Sequence, residues 1–359
     1  MNDSSASLPG AGPKRTAWWT RLLLSEYFVL YLTLAYFVAL LPFIPVMGTP
    51  GNLENVLSNV WPLLAVAVGQ TFVLIVAGID LSQTAVMSLT SVVSAAFMTT
   101  ALQAVQFQNS PLWGWFLRES GGPLGGTGLG VVVGILAMLL AGALIGLING
   151  LSITRLRMPP FMVTLVTVTF FAAFAIWLTK SENIINLPDA YNAIGTGGFG
   201  VLSYALLISG GLAVLAHLLL SRTVLGRWLY ATGANAVTAR VSGVPVDRVV
   251  VFAYVFSGVC AAVGSLLYST RLQMGRPTLG TDLLLDVIGA TVIGGTSLFG
   301  GKGKVLWTFF GVLFFVLLSN SLNLLNLNSY TVSIVKGAVI LLAAGLDVAR
   351  TRLARRAGA

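Results

Sequence analysis

The residues best able to do chemistry in this sequence are a few charged side chains that stand inside or beside long apolar stretches. Asp80 follows one such stretch in the run GIDLS, and Asp286 and Lys336 stand inside two others. A charge at such a place is costly in free energy, so it needs a partner or a task. Either Asp80 or Ser82 is interpreted as the N-cap of the next helix; alternatively, Asp80 makes a polar contact between helices or in a pathway. Lys336 either extends toward the water interface or forms an ion pair with Asp286.

Catalytic and metal-binding chemistry find little support. Cys260 is the only cysteine and His217 the only histidine, which excludes an internal disulfide and a Cys/His metal cluster. The run GGTSLFGGKGK at Gly294–Lys304 lacks the first glycine and the final hydroxyl residue that a phosphate-binding loop requires. The glycine cluster Gly195–Gly200 has no buried strand before it, so it predicts a loop rather than a dinucleotide site. The sequence predicts no catalytic residue and no bound metal.

The composition places these residues in a membrane. Of the 359 residues, 56% are hydrophobic and 9% are charged, whereas soluble domains carry about 25% charged residues. A bilayer-spanning helix takes about 20 mostly apolar residues. Ten apolar segments are separated by polar or Pro- and Gly-containing breaks, at residues 27–46, 56–78, 83–102, 128–152, 160–179, 201–220, 249–269, 281–298, 304–320 and 330–347. The predicted fold is an all-α membrane protein with about ten transmembrane helices.

Basic residues predict the orientation of these spans, because loops on the cytoplasmic side carry an excess of Lys and Arg. With the N-terminus inside, fifteen basic residues fall in predicted cytoplasmic segments and four fall outside. We therefore expect a cytoplasmic segment 1–26, a membrane domain 27–347 with a cytoplasmic loop 221–248, and a basic cytoplasmic tail 348–359. The formal net charge of +9 reflects this orientation, and no nucleic-acid partner is expected.

A weak internal similarity suggests two repeats of five spans, inserted in opposite senses. The stretch Leu144–Pro160 joins spans four and five and contains Asn149, and Leu317–Tyr330 joins spans nine and ten and contains Asn320. Five spans separate the two hairpins, so their directions through the membrane are opposite. Chance similarity between apolar helices explains the match equally well, so a 5+5 inverted repeat is one of two open interpretations.

The predicted cytoplasmic loop at Ser221–Arg248 reads SRTVLGRWLYATGANAVTARVSGVPVDR and is too polar to span. Asn235 is a good N-cap, residues 236–241 can form about two helical turns, and Gly243 followed by Pro245 would end them. The pattern predicts a short capped helix along the inner membrane surface. It fits either a docking element for a partner protein or a connecting loop whose arginines lie near lipid phosphates.

Several motifs in a fixed order resemble one family. Leu225–Val244 (LGRWLYATGANAVTARVSGV) closely resembles the coupling-helix loop in permease subunits of the ribose-type, monosaccharide-importing ABC transporters. Four further stretches resemble the same family in the same order: Gly78–Ser94, Gly146–Leu165, Leu283–Gly303 and Ser319–Leu341. The resemblance covers residues from about 50 to 347. Where a Val-Gly-Ser-like run is expected, this sequence has Gln83, Thr84 and Ala85, a departure that bears on the substrate rather than on the family.

The resemblance implies a type II-like ABC importer permease, which pairs with a second copy or a close relative and works by alternating access. A cytoplasmic ATPase with two nucleotide-binding cassettes would bind ATP and Mg²⁺, so this chain itself would be no enzyme and need no cofactor. An extracytoplasmic sugar-binding protein would deliver a monosaccharide for import across the bacterial cytoplasmic membrane. The residues implied to couple to the ATPase are Gly233, Asn235, Ala239, Arg240, Ser242 and Gly243.

A sugar pathway through such a subunit should be modestly polar and aromatic, because tight binding inside the membrane would prevent release. Candidate lining residues are Gln70, Asn149, Thr164, Thr167, Phe170 and Asn320, although such residues more often serve interhelical hydrogen bonding or core packing. The rival interpretation is a secondary transporter or channel for a small polar solute without an ATPase, for which Asp286 is the best-placed acid. A membrane scaffold without transport is the third. The sequence names no particular sugar.

Overall fold

The structure, a computed structural model, describes Ser25, residues 27–199 and residues 202–356, with side chains described as far as residue 345. Most of the predicted segment 1–26 and part of the predicted tail 348–359 lie outside the described residues. The described part is predominantly helical. It also contains one short antiparallel strand pair, formed by β1 (Gly198–Phe199) and β2 (Leu202–Ser203). The predicted all-α fold did not include these strands.

The described residues form fourteen α-helices and one short 3-10 helix. The first half of the chain contains α1 (Phe28–Leu40), the 3-10 helix (Pro45–Gly48), α2 (Pro50–Ile75), α3 (Gln83–Met98), α4 (Ala104–Phe107), α5 (Gly128–Arg155) and α6 (Pro160–Thr179). The second half contains α7 (Asp189–Thr196), α8 (Tyr204–Arg222), α9 (Val224–Ala234), α10 (Ala236–Val241), α11 (Val246–Leu272), α12 (Leu284–Ile293), α13 (Val305–Leu324) and α14 (Ser329–Arg356). Both α2 and α6 begin at a proline, which is favourable there because the first helical N–H needs no partner.

Each of the ten apolar segments expected from the sequence overlaps one of these helices over most of its length. Six of the described helices are long and apolar enough to cross a membrane: α2, α5, α6, α8, α11 and α13. Four shorter apolar helices are α1, α3, α12 and the first part of α14. By length and composition the chain is a helical, multi-pass membrane protein. The count of ten spans and the 5+5 inverted repeat stay predictions.

Helices α2 and α11 form the centre of the bundle. In the most apolar 18-residue stretch of α2, 83% of the stretch is buried inside the protein. The corresponding share is 22% in α6 and in α8. Helix α2 packs mainly on α11, α13, α8 and α12, and α11 packs in addition on α5 and α3. The exposed apolar faces of α5, α6 and α8 suit contact with lipid, because helices that are apolar all round are stable in a membrane.

Helices α5 and α11 approach closely because glycines remove side chains from their crossing. A Cβ added at Gly258 would overlap the carbonyl oxygen of Gly142, and a Cβ at Gly142 would overlap that of Gly258. Gly146 lies in the same way against the carbonyl oxygen of Tyr254. Small residues at helix crossings allow such backbone contact in membrane proteins. The crossing also sets the position of Ser257, the residue before Gly258.

We expect Gly258→Ala to lower the stability of the protein by about 1–3 kcal/mol, the usual cost of overpacking a close contact. The matched control is Gly210→Ala in α8, where a Cβ meets nothing within 4 Å; it should be neutral or stabilising by up to about 1 kcal/mol. Thermal melting of the purified protein in detergent micelles measures both. Equal melting temperatures for the two variants would contradict the close crossing.

Candidate functional site

The loop between α8 and α11 contains two capped helices. The Thr223 side chain accepts a hydrogen bond from the backbone N–H of Gly226 at 3.1 Å and caps α9. Asn235 ends α9 and caps α10, because its Oδ1 accepts from the backbone N–H of Thr238 at 3.0 Å. Gly243 follows with a φ of +84°, a left-handed conformation that glycine adopts without strain. The predicted helix 236–241, with its cap and its end, is present.

Helix α10 has one buried face and one exposed apolar face. Ala239 is 4% exposed and packs inward, whereas Val237 and Val241 are 75% and 85% exposed. These two valines are four residues apart and therefore lie on the same face of the helix. Arg240 forms an ion pair with Asp247 on the exposed side. The two valines were not among the predicted coupling residues, although their spacing in the predicted helix places them on one face.

Backbone contacts hold α9 against the end of α2. A Cβ added at Gly233 would overlap the carbonyl oxygen of Ile75. The same oxygen accepts a hydrogen bond from the N–H of Gly301 at 2.9 Å, so the loop after α12 meets both helices at one point. Nearby, the Tyr230 hydroxyl donates to the carbonyl oxygen of Gly303 at 2.7 Å. Burial raises the pKa of Tyr230, so its hydroxyl keeps the proton that it donates.

The glycine-rich run at Gly294–Lys304 thus has a structural use. It does not form a phosphate loop; it provides Gly300 and Gly301, whose backbone fits beside Gly233 and Ala234. Sequence reasoning rejected the phosphate loop but missed this packing role. The signal was the pair of adjacent glycines, which allow two backbones to approach closely.

Asp80 lies at the centre of a buried hydrogen-bond network. It is 2% exposed and accepts three hydrogen bonds: at Oδ1 from the backbone N–H of Ser82 at 2.9 Å and from its Oγ at 2.6 Å, and at Oδ2 from the Oγ of Ser257 at 2.6 Å. Helix α3 begins after Ser82 without a side-chain cap. Ser82 therefore stands at the N-cap position, but neither its side chain nor that of Asp80 caps the helix, and the polar contact between helices is what the structure contains.

The network continues into α5, α6 and α3. Asn149 Nδ2 donates to Ser82 Oγ at 2.8 Å, and Thr167 Oγ1 donates to Asn149 Oδ1 at 2.7 Å. Gln83 Nε2 donates to Ser257 Oγ at 2.8 Å. Two candidate pathway residues, Asn149 and Thr167, are thus joined to Asp80. Gln83 and Ser257 were not among the predicted site residues.

The segment between α2 and α3 connects this network to the α9 contact. It starts at Ile75, on which Gly233 packs, and reaches Asp80 five residues later. Within it, Ala77 has a φ of +61°, a conformation that non-glycine residues adopt at a cost. Gly78 lies against the Tyr254 hydroxyl, where a Cβ would not fit without movement. The segment is therefore tightly packed at both ends.

Asp286 and Lys336 form an ion pair between α12 and α14. Lys336 Nζ lies 2.7 Å from Asp286 Oδ1 and donates a hydrogen bond to Oδ2 at 3.0 Å. The two side chains are 10% and 12% exposed, respectively. Of the two interpretations of Lys336, the structure contains the ion pair. A pair inside an apolar segment is costly to break, because either charge alone would remain without compensation.

The other candidate pathway residues lie apart from one another. Asn320 exchanges two hydrogen bonds with Asn52, at 2.9 and 3.0 Å. Thr164 Oγ1 donates to the carbonyl oxygen of Ile79 at 3.2 Å, beside Asp80. Phe170 is 60% exposed on α6. Gln70 is fully buried in α2, and neither atom of its amide has a hydrogen-bond partner among the described residues.

Reversing one charge of the Asp286–Lys336 pair should destabilise the protein by about 3–5 kcal/mol. We expect Asp286→Lys and Lys336→Asp to lower the melting temperature separately, and the double variant to recover most of the loss. The control is the exposed pair Arg240–Asp247, whose side chains are 61% and 50% exposed; its single reversals should cost less than about 1 kcal/mol. A double variant no more stable than the singles would argue against direct pairing.

Comparison with known proteins places the chain among transport permeases. A family model described as the permease component of branched-chain amino acid transport systems matches residues 52–344, a range that includes all five motif stretches. The ribose import permease of Haemophilus influenzae is 33% identical over 300 residues, 82% of this chain and 84% of that protein. The ribose import permease of Bacillus subtilis is 34% identical over 300 residues, 83% of this chain and 85% of that protein.

The similarity extends beyond permeases named for ribose. The galactose/methyl galactoside import permease of Haemophilus influenzae is 32% identical over 329 residues, 89% of this chain and 92% of that protein. No solved structure matches the chain. Because the family match covers most of the membrane-spanning helices and these relatives align over most of their length, the chain belongs to the family of permease components of branched-chain amino acid transport systems, and within it is similar to ribose import permeases.

Proposed function

We propose that the chain is the translocation subunit of an ATP-driven importer that moves a monosaccharide across the bacterial cytoplasmic membrane. The observation that carries the proposal is helix α10, a capped helix whose exposed face presents Val237 and Val241. Two valines on one exposed face of a capped helix, in a loop that is otherwise polar, fit an interface with a partner protein. The similar permeases named for ribose and galactose import support the sugar as solute.

The partners follow from this proposal. A cytoplasmic ATPase with two nucleotide-binding cassettes binds ATP and Mg²⁺ and docks on α10, and an extracytoplasmic sugar-binding protein delivers the solute. A second copy of the chain or a close relative completes the membrane unit. The α10 end faces the cytoplasm together with segment 1–26 and tail 348–359, the membrane domain spans residues 27–347, and lipid surrounds it.

The proposed coupling residues have distinct tasks in this mechanism. Asn235 and Gly243 hold the two ends of α10, and Ala239 anchors its inner face, so the helix moves as one rigid piece. Gly233 passes the movement of α10 on to α2, because its backbone lies directly against the end of α2. Arg240 and Ser242 lie on the exposed side of the loop, within reach of a docked partner. Closure of the ATPase dimer would thereby shift α2 and drive alternating access.

A secondary transporter would need an acid that is available to bind an ion. Asp286 already pairs with Lys336, and Asp80 already accepts three hydrogen bonds. Each carboxylate therefore has protein partners that a coupling ion would have to displace. This arrangement favours the ATP-driven importer over the rival.

Docking is tested by co-purification of the ATPase from membranes. We expect Val237→Glu combined with Val241→Glu to reduce the ATPase recovered with the permease at least tenfold, because two charges would be buried at the interface. Both positions are largely exposed, so the fold should be retained. Val105→Glu in α4, where Val105 is 82% exposed, is the control and should recover the ATPase as wild type does. Undiminished recovery with the double variant would contradict docking on α10.

Orientation is tested by thiol labelling, for which the chain is well suited because its only cysteine, Cys260, is fully buried. Ser242→Cys should react with a membrane-impermeant maleimide in inside-out vesicles and not in intact spheroplasts. Val105→Cys should show the reverse pattern, since α4 follows the end of α3 opposite to Asp80. Labelling of Ser242→Cys from outside would reverse the orientation and remove the ATPase from α10.

A further inference from the structure

Helix α2 contains a buried amide that makes no hydrogen bond to any described residue. The side chain of Gln70 is fully buried, and neither its Nε2 nor its Oε1 has a partner among the described residues. An amide removed from water without partners costs free energy. A polar side chain at such a place needs a reason other than stability of this conformation.

A second amide, whose oxygen has no described partner, bonds to α2 one helical turn before Gln70. Gln83 Nε2 donates to the carbonyl oxygen of Val66 at 3.2 Å and to Ser257 Oγ at 2.8 Å. Its Oε1 has no partner among the described residues. Val66 is four residues before Gln70, one turn of about 5.4 Å along α2. Gln83 therefore lies beside the same stretch of α2 that bears Gln70.

Gln70 also shares a helix face with the polar residues at the start of α2. At 100° per residue, positions 52, 59 and 70 fall within about 20° of one direction. Asn59 and Asn55 accept hydrogen bonds from the Arg271 guanidinium at 2.8 and 3.0 Å, near the end of α2 opposite to α10. This face of α2 thus has polar residues at the start of the helix, at positions 52 and 59, and a further polar residue, Gln70, deep in the bundle.

We propose that Gln70 and Gln83 form a weak binding site for a hydroxyl-rich, uncharged solute during its passage, a proposal that rests on the sugar import proposed above. The chemistry selects that class of ligand. A carboxamide both donates and accepts hydrogen bonds, as a hydroxyl group does, and it offers no net charge to an ion. The site is closed in this conformation and opens when the helices around α2 move apart.

The other polar candidates are less suited to this task. Asn149, Thr167, Thr164 and Asn320 all have protein partners, which a solute would have to displace. The Gln70 amide loses no protein hydrogen bond when a solute binds. Neutral hydrogen bonds to two amides bind a sugar weakly, which lets the solute leave toward the cytoplasm.

Gln70→Met, which removes the amide at nearly constant volume, tests the site with two readouts. First, the melting temperature of the purified permease should rise by a few degrees, because an uncompensated polar group is lost. Second, uptake of labelled D-ribose into vesicles with the ATPase and binding protein should fall at least tenfold, while ATP hydrolysis stays within twofold. Gln83→Met should reduce uptake too, but it should lower the melting temperature, because Nε2 loses two hydrogen bonds.

The matched control is Thr71→Val, one residue along α2. Thr71 Oγ1 is paired with Thr308 Oγ1 at 2.6 Å and with the carbonyl oxygen of Ala67 at 2.9 Å, so its loss should lower the melting temperature. A lower melting temperature for Gln70→Met would show that its amide is already satisfied, and unchanged uptake would show that it does not meet the solute. Either result overturns the inference. If the wild type itself imports neither ribose nor galactose, it is the proposed function that fails.

Discussion

The constraint on which the arrangement depends is the burial of the Asp80 carboxylate inside an apolar bundle. A charge there needs several donors, and the local sequence supplies only those of Ser82. The third donor comes from Ser257 in α11, and Ser82 is itself bonded by Asn149 in α5, which Thr167 in α6 bonds in turn. One carboxylate thereby ties the α2–α3 connection to three further helices. A half-satisfied network would cost more than an apolar core, so these bonds hold the helices together near Asp80 in this conformation.

The polar network joins helices through side chains, whereas glycines join them through the backbone. Glycine allows two backbones to touch where side chains would hold them apart. The Gly142–Gly258 crossing sets α11 against α5 close to Ser257, and Gly233 sets α9 directly on Ile75 at the end of α2. Backbone-to-backbone contacts deform less than contacts between flexible side chains. A displacement of the α9–α10 unit would therefore reach α2 with little loss, which is what the proposed mechanism requires of the loop.

Local patterns were the most reliable guide to the structure. Helix α10 has the predicted bounds, cap and glycine end, because capping depends on residues within one turn of each other. The ten apolar segments each overlap a helix because local composition determines where an apolar helix forms. The sequence left two interpretations open where a side chain had both a local and a distant partner available. Asp80 fitted a helix cap or a contact between helices, and no local pattern reveals Ser257, which is 177 residues away.

By itself, the sequence determined that this is a helical membrane protein and that a capped helix stands between two apolar segments. Composition, periodicity and capping contain that information, since each acts over a few neighbouring residues. The resemblance to sugar-importer permeases came separately, from several motifs in a fixed order. The tertiary structure alone decided which polar residues pair: Asp286 with Lys336, Asp80 with Ser257, and Asn320 with Asn52. It also decided that the Gln70 amide has no hydrogen-bond partner among the described residues. Those outcomes depend on how helices distant in the sequence rotate and cross, and each rotation is set by the packing of the whole bundle rather than by any single segment.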